Sequence, residues 1–361
     1  MKNNLWRVPV LSLALGVMGF SGMSLGGAER GDMLFDRSNT SDQASSSAVA
    51  PANVAPIILQ MATEYPETSM PGEGLATFAD EVIRRTRGGI IPKPTFDASA
   101  GFKSSEMLDA IRDGKVQIGD AFGGALGQVD PIFLLPSLPF VATSIDQARR
   151  LADMARADYA RAFEVQGQHL LYITPWPSTG LWSRHPIETI DDLQGLSIRT
   201  YDETSAVVMR TAGATAQNLS FTDAMPRLAD GSVNAVLSSG DGGAGRKLWK
   251  YLPYFSAINY AMPLSFTTIN ATTWQAMTPD QRDVITVAAK VTEEKQWSRL
   301  GQRLAENTAR MRANGVIIQS HPAPAIQEAL RKAGFGTLKI WQSRMGPHGG
   351  VLKKYLVETR P

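Results

Sequence analysis

Arg199 is the side chain in this sequence that is best placed to bind a charged small molecule. It directly follows Leu196–Ile198, a short apolar run after Gly195 that predicts a β-strand. A helical pattern follows over Tyr201–Arg210, with Asp202 as the predicted N-cap. Ligands of open α/β sheets bind beyond the carboxyl ends of strands, where Arg199 is expected. Its planar guanidinium can form a bidentate pair with a ligand carboxylate, or it can pair at the surface with a neighbour such as Asp202.

Aromatic side chains are the predicted walls of such a site, because ligand pockets are mostly apolar with a few polar groups. Tyr65 comes just after the first predicted strand, and Phe122 ends a later one. Trp176 lies between two prolines in the irregular segment Thr174–Trp182, TPWPSTGLW. Packing in the core is the commoner role of aromatic residues and remains the alternative for all three.

The segment Gly240–Gly245, GDGGAG, matches the G-x-G-x-x-G pattern of dinucleotide-binding sites. Such a site requires an acidic residue about 20 positions further on, and residues 258–265 contain none. We interpret the segment as a loop before a helix over Arg246–Tyr251, with backbone N–H groups that approach the ligand or cap that helix. A plain flexible turn is the alternative. The side chains predicted to add hydrogen bonds here are Ser238, Ser239 and Asp241.

The composition limits the classes of function. The net charge of +2 gives no reason to expect a nucleic-acid partner. With no cysteine, the chain has no disulfide, no thiolate metal site and no cysteine nucleophile. The four histidines lack the spacing of metal ligands, and no nucleophile or phosphate-loop motif is present. We therefore predict no catalytic residue, no metal and no cofactor, although a secreted hydrolase remains an alternative.

The N-terminal region predicts export. Residues 1–28 combine Lys2 and Arg7 with an apolar run and small residues, which is typical of a signal peptide. Residues 29–56 are polar and rich in serine and alanine, which predicts a disordered linker. Since no cysteine is available for lipid attachment, we expect a periplasmic protein without a lipid anchor.

Strand and helix patterns alternate from Ile57 onward, which predicts an α/β fold with a largely parallel sheet. A loop is predicted at Tyr65–Gly74 and the first helix at Leu75–Thr86, because five apolar positions share one helical face. One long helix is predicted from Pro279 to about Asn314. The proline-rich Thr174–Trp182 is the predicted first passage between two domains, and a second is predicted near Tyr260–Thr268.

Several segments carry a resemblance to a known family. The stretch around Arg199 reads DLQGLSIRT and continues with GATAQNLSFTDAMPRLADGSVNAV. Matching segments elsewhere are GFKSSEMLDAIRDGKVQIGDAF, LPSLPFV and TTWQAMTPDQRDVI. Together they resemble the substrate-binding proteins of TRAP transporters (tripartite ATP-independent periplasmic transporters, the dicarboxylate-binding-protein family), from about Ile57 to the C-terminus.

The resemblance implies a two-domain periplasmic binding protein fold, with a hinged cleft and a long C-terminal helix that spans both domains. It also implies that the protein is not an enzyme. Arg199 would bind the carboxylate of an organic acid, and the protein would deliver this acid to a membrane permease. A sensor module of the same fold remains an alternative, and we expect a monomer. The expected boundaries are 57–177 plus 265–304 for domain I and 178–264 plus 305–361 for domain II.

Three positions depart from the ligand-binding pattern of the resembled family. Thr179 stands where members often have a second arginine, and Ser238 aligns near a frequent asparagine. Phe122 aligns near an acidic contact of members that bind sugar acids. These departures remove charged or polar groups. They favour a smaller or more apolar monocarboxylate, aromatic or branched, over sialic acid and C4-dicarboxylates.

Overall fold

Two β-sheets organise the part of the chain that the structure describes. The computed structural model describes residues 55–359, so the predicted signal peptide and nearly all of the predicted linker lie outside it. The strand order is β2-β1-β3-β10-β4 in the first sheet and β11-β9-β5-β8-β6-β7 in the second. The strands are β1 Ile57–Ala62, β2 Ile90–Thr95, β3 Ile118–Phe122, β4 Gln168–Pro175, β5 Thr179–Ser183, β6 Ser197–Thr200, β7 Thr215–Asn218, β8 Ala235–Ser239, β9 Tyr254–Ser256, β10 Leu264–Asn270 and β11 Ile317–Gln319.

Helices cover both sheets. We call the first sheet and the helices packed on it the first lobe, and the second sheet and its helices the second lobe. None of the helices in residues 55–359 is both long and apolar enough to cross a membrane. The helices are α1 Met70–Thr86, α2 Ser104–Arg112, α3 Ile145–Val165, α4 Asp191–Gln194, α5 Glu203–Thr211, α6 Phe221–Ala229, α7 Gly240–Gly245, α8 Ala271–Ala276, α9 Pro279–Ala313, α10 Pro324–Met345 and α11 Gly350–Glu358.

Both sheets are largely parallel, as expected, and each contains one strand that runs antiparallel to its neighbours. In the first lobe this strand is β10, between β3 and β4. In the second lobe it is β5, between β8 and β9. Both strands directly follow a crossing of the chain between lobes, at residues 176–178 and 257–263. A chain that leaves one sheet at the carboxyl end of a strand enters the facing sheet from that same side, so its next strand runs in the opposite direction.

The long helix α9 packs against both lobes. Its first half buries Ile285 and Ala288 against the core around β1 and α1, and Trp297 and Leu300, further along, pack in the core around α3. Near its end, Met311 belongs to the core of the second lobe. The change of apolar face along the sequence therefore reflects successive packing against different cores.

The C-terminal helices also contact both lobes. In α10, Ile326 and Leu330 pack in the core of the second lobe, whereas Trp341 packs in the first. Helix α11 returns to the first lobe, where Tyr355 is fully buried beside α3. The domain boundaries expected above stay a prediction, because packing alone does not show which segments move together.

Helix α1 begins five residues earlier than predicted. Its N-cap is Ser69, whose Oγ accepts a hydrogen bond from the Gly72 N–H at 3.2 Å. Pro71 occupies the first turn, where a missing N–H costs nothing. The glycines and prolines of residues 65–74 predicted a loop, but the cap and the N-terminal proline favour a helix.

Candidate ligand-binding site

A small cavity lies where the two lobes face each other, at the carboxyl ends of the parallel strands. Its lining residues are all buried and leave little space between them, so it suits a small ligand. Arg199 is the one charged side chain among the lining residues. These residues are Tyr65, Phe122, Trp176, Thr179, Arg199, Tyr201, Phe221, Ser238, Ser239, Gly242 and Pro263.

Arg199 is held in place by backbone carbonyls and an aromatic ring. Its Nε donates to the Leu219 carbonyl at 2.7 Å, and Nη1 donates to the Leu237 carbonyl at 3.4 Å. The guanidinium carbon lies 4.2 Å from the centroid of the Phe221 ring. Arg199 is 4% exposed, and burial lowers the pKa of its guanidinium. An arginine remains protonated in proteins, so a fixed positive charge faces the cavity.

Within residues 55–359, Arg199 forms no ion pair with an Asp or Glu side chain. Asp202, its alternative partner, instead caps α5 and accepts from the Ser205 N–H at 2.7 Å and from the Ser205 hydroxyl at 2.6 Å. Glu64 and Asp202 act on the Arg199 charge only from beyond ion-pair distance. A buried charge without a direct ion-pair partner is costly. An anion in the cavity would offset that cost.

Four aromatic rings form a connected wall. Tyr65 and Trp176 meet edge to face with ring centroids 4.8 Å apart. Phe122 contacts Trp176 at 6.3 Å and Tyr201 at 5.6 Å, again edge to face. The indole N–H of Trp176 donates to the Ser265 hydroxyl at 3.0 Å, so it is already satisfied. Trp176 therefore contributes an apolar surface to the cavity.

The aliphatic hydroxyl groups of Thr179, Ser238 and Ser239 line the cavity together with Arg199, and strand register explains why. In the antiparallel pair β5–β8, Thr179 lies opposite Ser239, and Gly180 lies opposite Ser238. The Ser239 hydroxyl accepts from the Gly242 N–H at 3.1 Å, which leaves its hydrogen free to donate. The cavity thus combines one cation, aromatic surface and neutral hydroxyl groups.

Asp241 does not line the cavity, unlike the other residues singled out in the sequence. Its carboxylate accepts from the Met70 N–H at 2.8 Å and from the Asn307 amide at 3.1 Å. The Arg303 guanidinium lies 3.5 Å away and opposes the rise in the Asp241 pKa that burial causes. The side chain joins α7 to α1 and α9, so its observed contacts are structural.

The match to a family model decides which proteins this chain belongs with. The model described as "Bacterial extracellular solute-binding protein, family 7" matches residues 61–339. The chain belongs to this family. The resemblance to the substrate-binding proteins of TRAP transporters is thereby confirmed, and so is the two-domain α/β binding-protein fold.

Solved structures and curated relatives of this solute-binding protein carry the names of different acids. The Bordetella pertussis extracytoplasmic solute receptor DctP7, which binds pyroglutamic acid, is 26% identical with a TM-score of 0.79 over 82% of this chain and 98% of that one. A Chromohalobacter salexigens protein with bound D-glucuronate is 18% identical, with a TM-score of 0.75 over 82% and 98%. The C4-dicarboxylate-binding protein DctB of Bacillus subtilis is 22% identical over 72% of this chain and 75% of its own length. The acid that this chain recognises must therefore be inferred from its own cavity.

Reasoning from the sequence missed three lining residues, Tyr201, Phe221 and Pro263, whereas Gly242 belongs to the segment whose backbone N–H groups were expected near the ligand. Tyr201 directly follows β6, and Phe221 is the first residue of α6 after β7. Both lie just beyond carboxyl ends of strands, where ligands of such sheets bind. The rule that selected Arg199 would have found these two aromatic residues as well.

The segment Gly240–Gly245 of the solute-binding protein is a helix, α7, and not the predicted loop. Ser239 is its N-cap. A β-carbon built on Gly243 would lie only 2.3 Å from ring atoms of Trp182, which is fully buried. The glycines therefore permit close packing of a short helix. Because glycine disfavours helices, the composition of this segment did not predict one.

Gly243→Ala is expected to lower the free energy of unfolding by about 1–3 kcal/mol, because the added methyl group overpacks against Trp182. Gly245→Ala is the matched control in the same helix, since its β-carbon would be 3.4 Å from Pro66, an ordinary contact. Urea denaturation of both variants measures the difference. Equal stability of the two variants would contradict the packing of Trp182 on α7.

Proposed function

We propose that this protein captures a small organic acid with a single carboxylate and delivers it to a TRAP-type membrane permease. The observation that supports this proposal is the buried guanidinium of Arg199, which faces the cavity without an ion-pair partner among the described residues. Its planar N–H groups match the geometry of a carboxylate. The ligand leaves unchanged, so the chain acts as a receptor. Like the other members of its extracellular family, it acts outside the cytoplasm.

A single carboxylate is favoured by the charge of the cavity walls. Apart from Arg199, the lining side chains are aromatic, hydroxyl-bearing or apolar. A second carboxylate would lose its water without gaining a counter-charge, which is costly in an enclosed cavity. Thr179, Ser238 and Ser239 can instead bond a neutral group such as an amide or hydroxyl. Pyroglutamate has this pattern, and the receptor of 26% identity named above binds pyroglutamic acid.

No described feature favours the secreted hydrolase. No histidine lines the cavity to activate a hydroxyl. The Ser239 hydroxyl is engaged as a helix cap.

Thermal unfolding in the presence of a panel of acids tests the proposal. A ligand that binds only the native state raises the melting temperature by mass action. We expect the largest rise with pyroglutamate and other compact monocarboxylates, and little or none with succinate, glutarate or uronic acids. A rise with dicarboxylates alone would contradict the single-carboxylate assignment. No rise with any acid would contradict the function itself.

A further inference from the structure

Besides the hydrogen bond between the Met70 N–H and Asp241, two polar contacts join the lobes beside the cavity without lining it. The first is an ion pair between Lys103, the N-cap of α2 in the first lobe, and Asp223 in the first turn of α6 in the second. The Lys103 Nζ lies 2.9 and 3.0 Å from the two carboxylate oxygens of Asp223. The chain separation of these residues is 120 positions, so the contact depends on how the lobes face each other.

Each end of this ion pair is connected to one wall of the cavity. In the first lobe, Ser104 follows Lys103, and its hydroxyl accepts from the Phe122 N–H at 3.2 Å. In the second lobe, Asp223 accepts from the Ser220 hydroxyl at 2.8 Å. The residue after Ser220 is Phe221, on which the Arg199 guanidinium rests. The pair thus links the aromatic wall to the platform of the binding arginine.

Arg246 makes the second contact. It is the C-cap of α7 in the second lobe. Its Nη2 donates to the Glu64 carbonyl at 2.8 Å, and its Nη1 donates to the Asp97 carboxylate at 3.2 Å. Both acceptors belong to the first lobe, and Glu64 directly precedes the cavity residue Tyr65. The Arg246 side chain is only 19% exposed, so this contact is more protected from water than the first.

We propose that the Lys103–Asp223 pair and Arg246 form a clasp that holds the lobes together and sets how slowly the ligand leaves. This inference rests on the proposed function. None of the three side chains lines the cavity, so they are positioning residues that act through Phe122, Phe221 and Tyr65. Opening of the cavity separates the lobes and must break these contacts. In the open form, which the acid enters, the contacts have not yet formed, so they do not affect entry. The clasp therefore acts mainly on the dissociation rate constant.

Stopped-flow displacement of pyroglutamate measures this rate constant. Asp223→Asn or Lys103→Met should raise it about threefold, because an ion pair this exposed contributes little. The double variant should match either single variant, and the exchanged pair Lys103→Asp with Asp223→Lys should restore part of the effect. Arg246→Gln should raise the rate constant about tenfold, since it removes a charge-assisted bond that is largely shielded from water.

Glu81→Gln is the matched control. It removes the ion pairs of Glu81 with Arg84 and Arg85, which lie within α1 alone, so it should leave the rate constant unchanged. The increase in the dissociation rate constant caused by Asp223→Asn should become smaller at high salt, as expected for an exposed ion pair. Equal rate constants in the wild type and all clasp variants would overturn the proposal. So would strict additivity of the Lys103 and Asp223 variants.

Distances in the ligand-free protein separate failure of the clasp from failure of the proposed function. The chain has no native cysteine, so Asp109→Cys on α2 and Ala229→Cys on α6 give two specific spin labels. In the wild type we expect a population of closed molecules, in which the distance between the two labels is short. Arg246→Gln and Asp223→Asn should reduce this population. Identical distance distributions would overturn the clasp, whether or not any acid binds. Depletion in a protein that binds no acid would reject only the proposed function.

Discussion

Arg199→Met is expected to weaken binding of a monocarboxylate by about 2–5 kcal/mol, which is roughly thirtyfold to several thousandfold in Kd. The substitution leaves the carboxylate in an enclosed cavity without a cation. Arg199→Lys should lose less, because an ammonium keeps the charge but not the planar pair of N–H donors. Isothermal titration calorimetry with pyroglutamate measures both variants.

The same variants should remain folded. Within the described residues Arg199 makes no ion pair, so methionine removes no such pair from the ligand-free protein, and its side chain can still pack on Phe221. Arg210→Met is the matched control, since Arg210 donates to the Ala216 carbonyl but does not line the cavity. Unchanged affinity in folded Arg199→Met would remove the basis of the assignment.

Asp120→Asn is expected to change the pH dependence of the free energy of unfolding. The change across the pH window given below amounts to about a few kcal/mol. Asp120 is fully buried in the first sheet, and burial raises the pKa of its carboxyl to about 7. Thr63 donates to it at 3.0 Å and partly opposes this rise. Between about pH 4 and pH 7 the native state keeps a proton that the unfolded chain has lost. The free energy of unfolding therefore falls as pH rises through this window.

In the asparagine variant the part of this fall that Asp120 causes should disappear, whereas the part from other buried carboxyls such as Asp202 remains. Relative to wild type, the variant gains stability steadily from about pH 4 to pH 7, and the gain is constant above that. Asp192→Asn provides the opposite sign, because backbone hydrogen bonds from Thr189 and Glu188 lower the pKa of Asp192. That variant should lose stability at neutral pH, and the loss should vanish in acid. Urea denaturation between about pH 2 and pH 8 measures both profiles, and parallel wild-type and Asp120→Asn profiles would be contrary to this account.

Elements with strong local signals could be predicted from the sequence. Helix α9 begins at Pro279, as predicted, and ends one residue before the predicted limit. Asp202 is the N-cap of α5, as its position before a periodic apolar pattern indicated. In each of these cases the local pattern and the tertiary packing favour the same structure.

Elements that depend on tertiary contacts could not be predicted. Helix α7 consists largely of glycine and forms because it packs against Trp182 and α9, which lie far away in the chain. The antiparallel direction of β5 and β10 follows from the path of the chain between lobes, which no local pattern encodes. Asp241 was placed in the site because of its neighbours, but the sequence gives no sign that Met70 and Arg303 surround it.

The same distinction applies to the site. Thr179 and Ser238 were singled out as positions where the family pattern is lost, and both line the cavity beside Arg199. No local pattern indicates that Thr179 begins a strand and lies opposite Ser239. That register brings hydroxyls from residues 60 positions apart to one edge of the sheet.

The most direct test of the central claim is a calorimetric titration with ligands that differ from pyroglutamate in one group each. The lactam 2-pyrrolidinone lacks the carboxylate, cyclopentanecarboxylate lacks the lactam, and glutarate has a second carboxylate. We predict the tightest binding for pyroglutamate, a smaller loss for cyclopentanecarboxylate, and no measurable binding for 2-pyrrolidinone or glutarate. Binding of 2-pyrrolidinone as tight as that of pyroglutamate would contradict the claim that a single carboxylate bound to Arg199 holds the ligand.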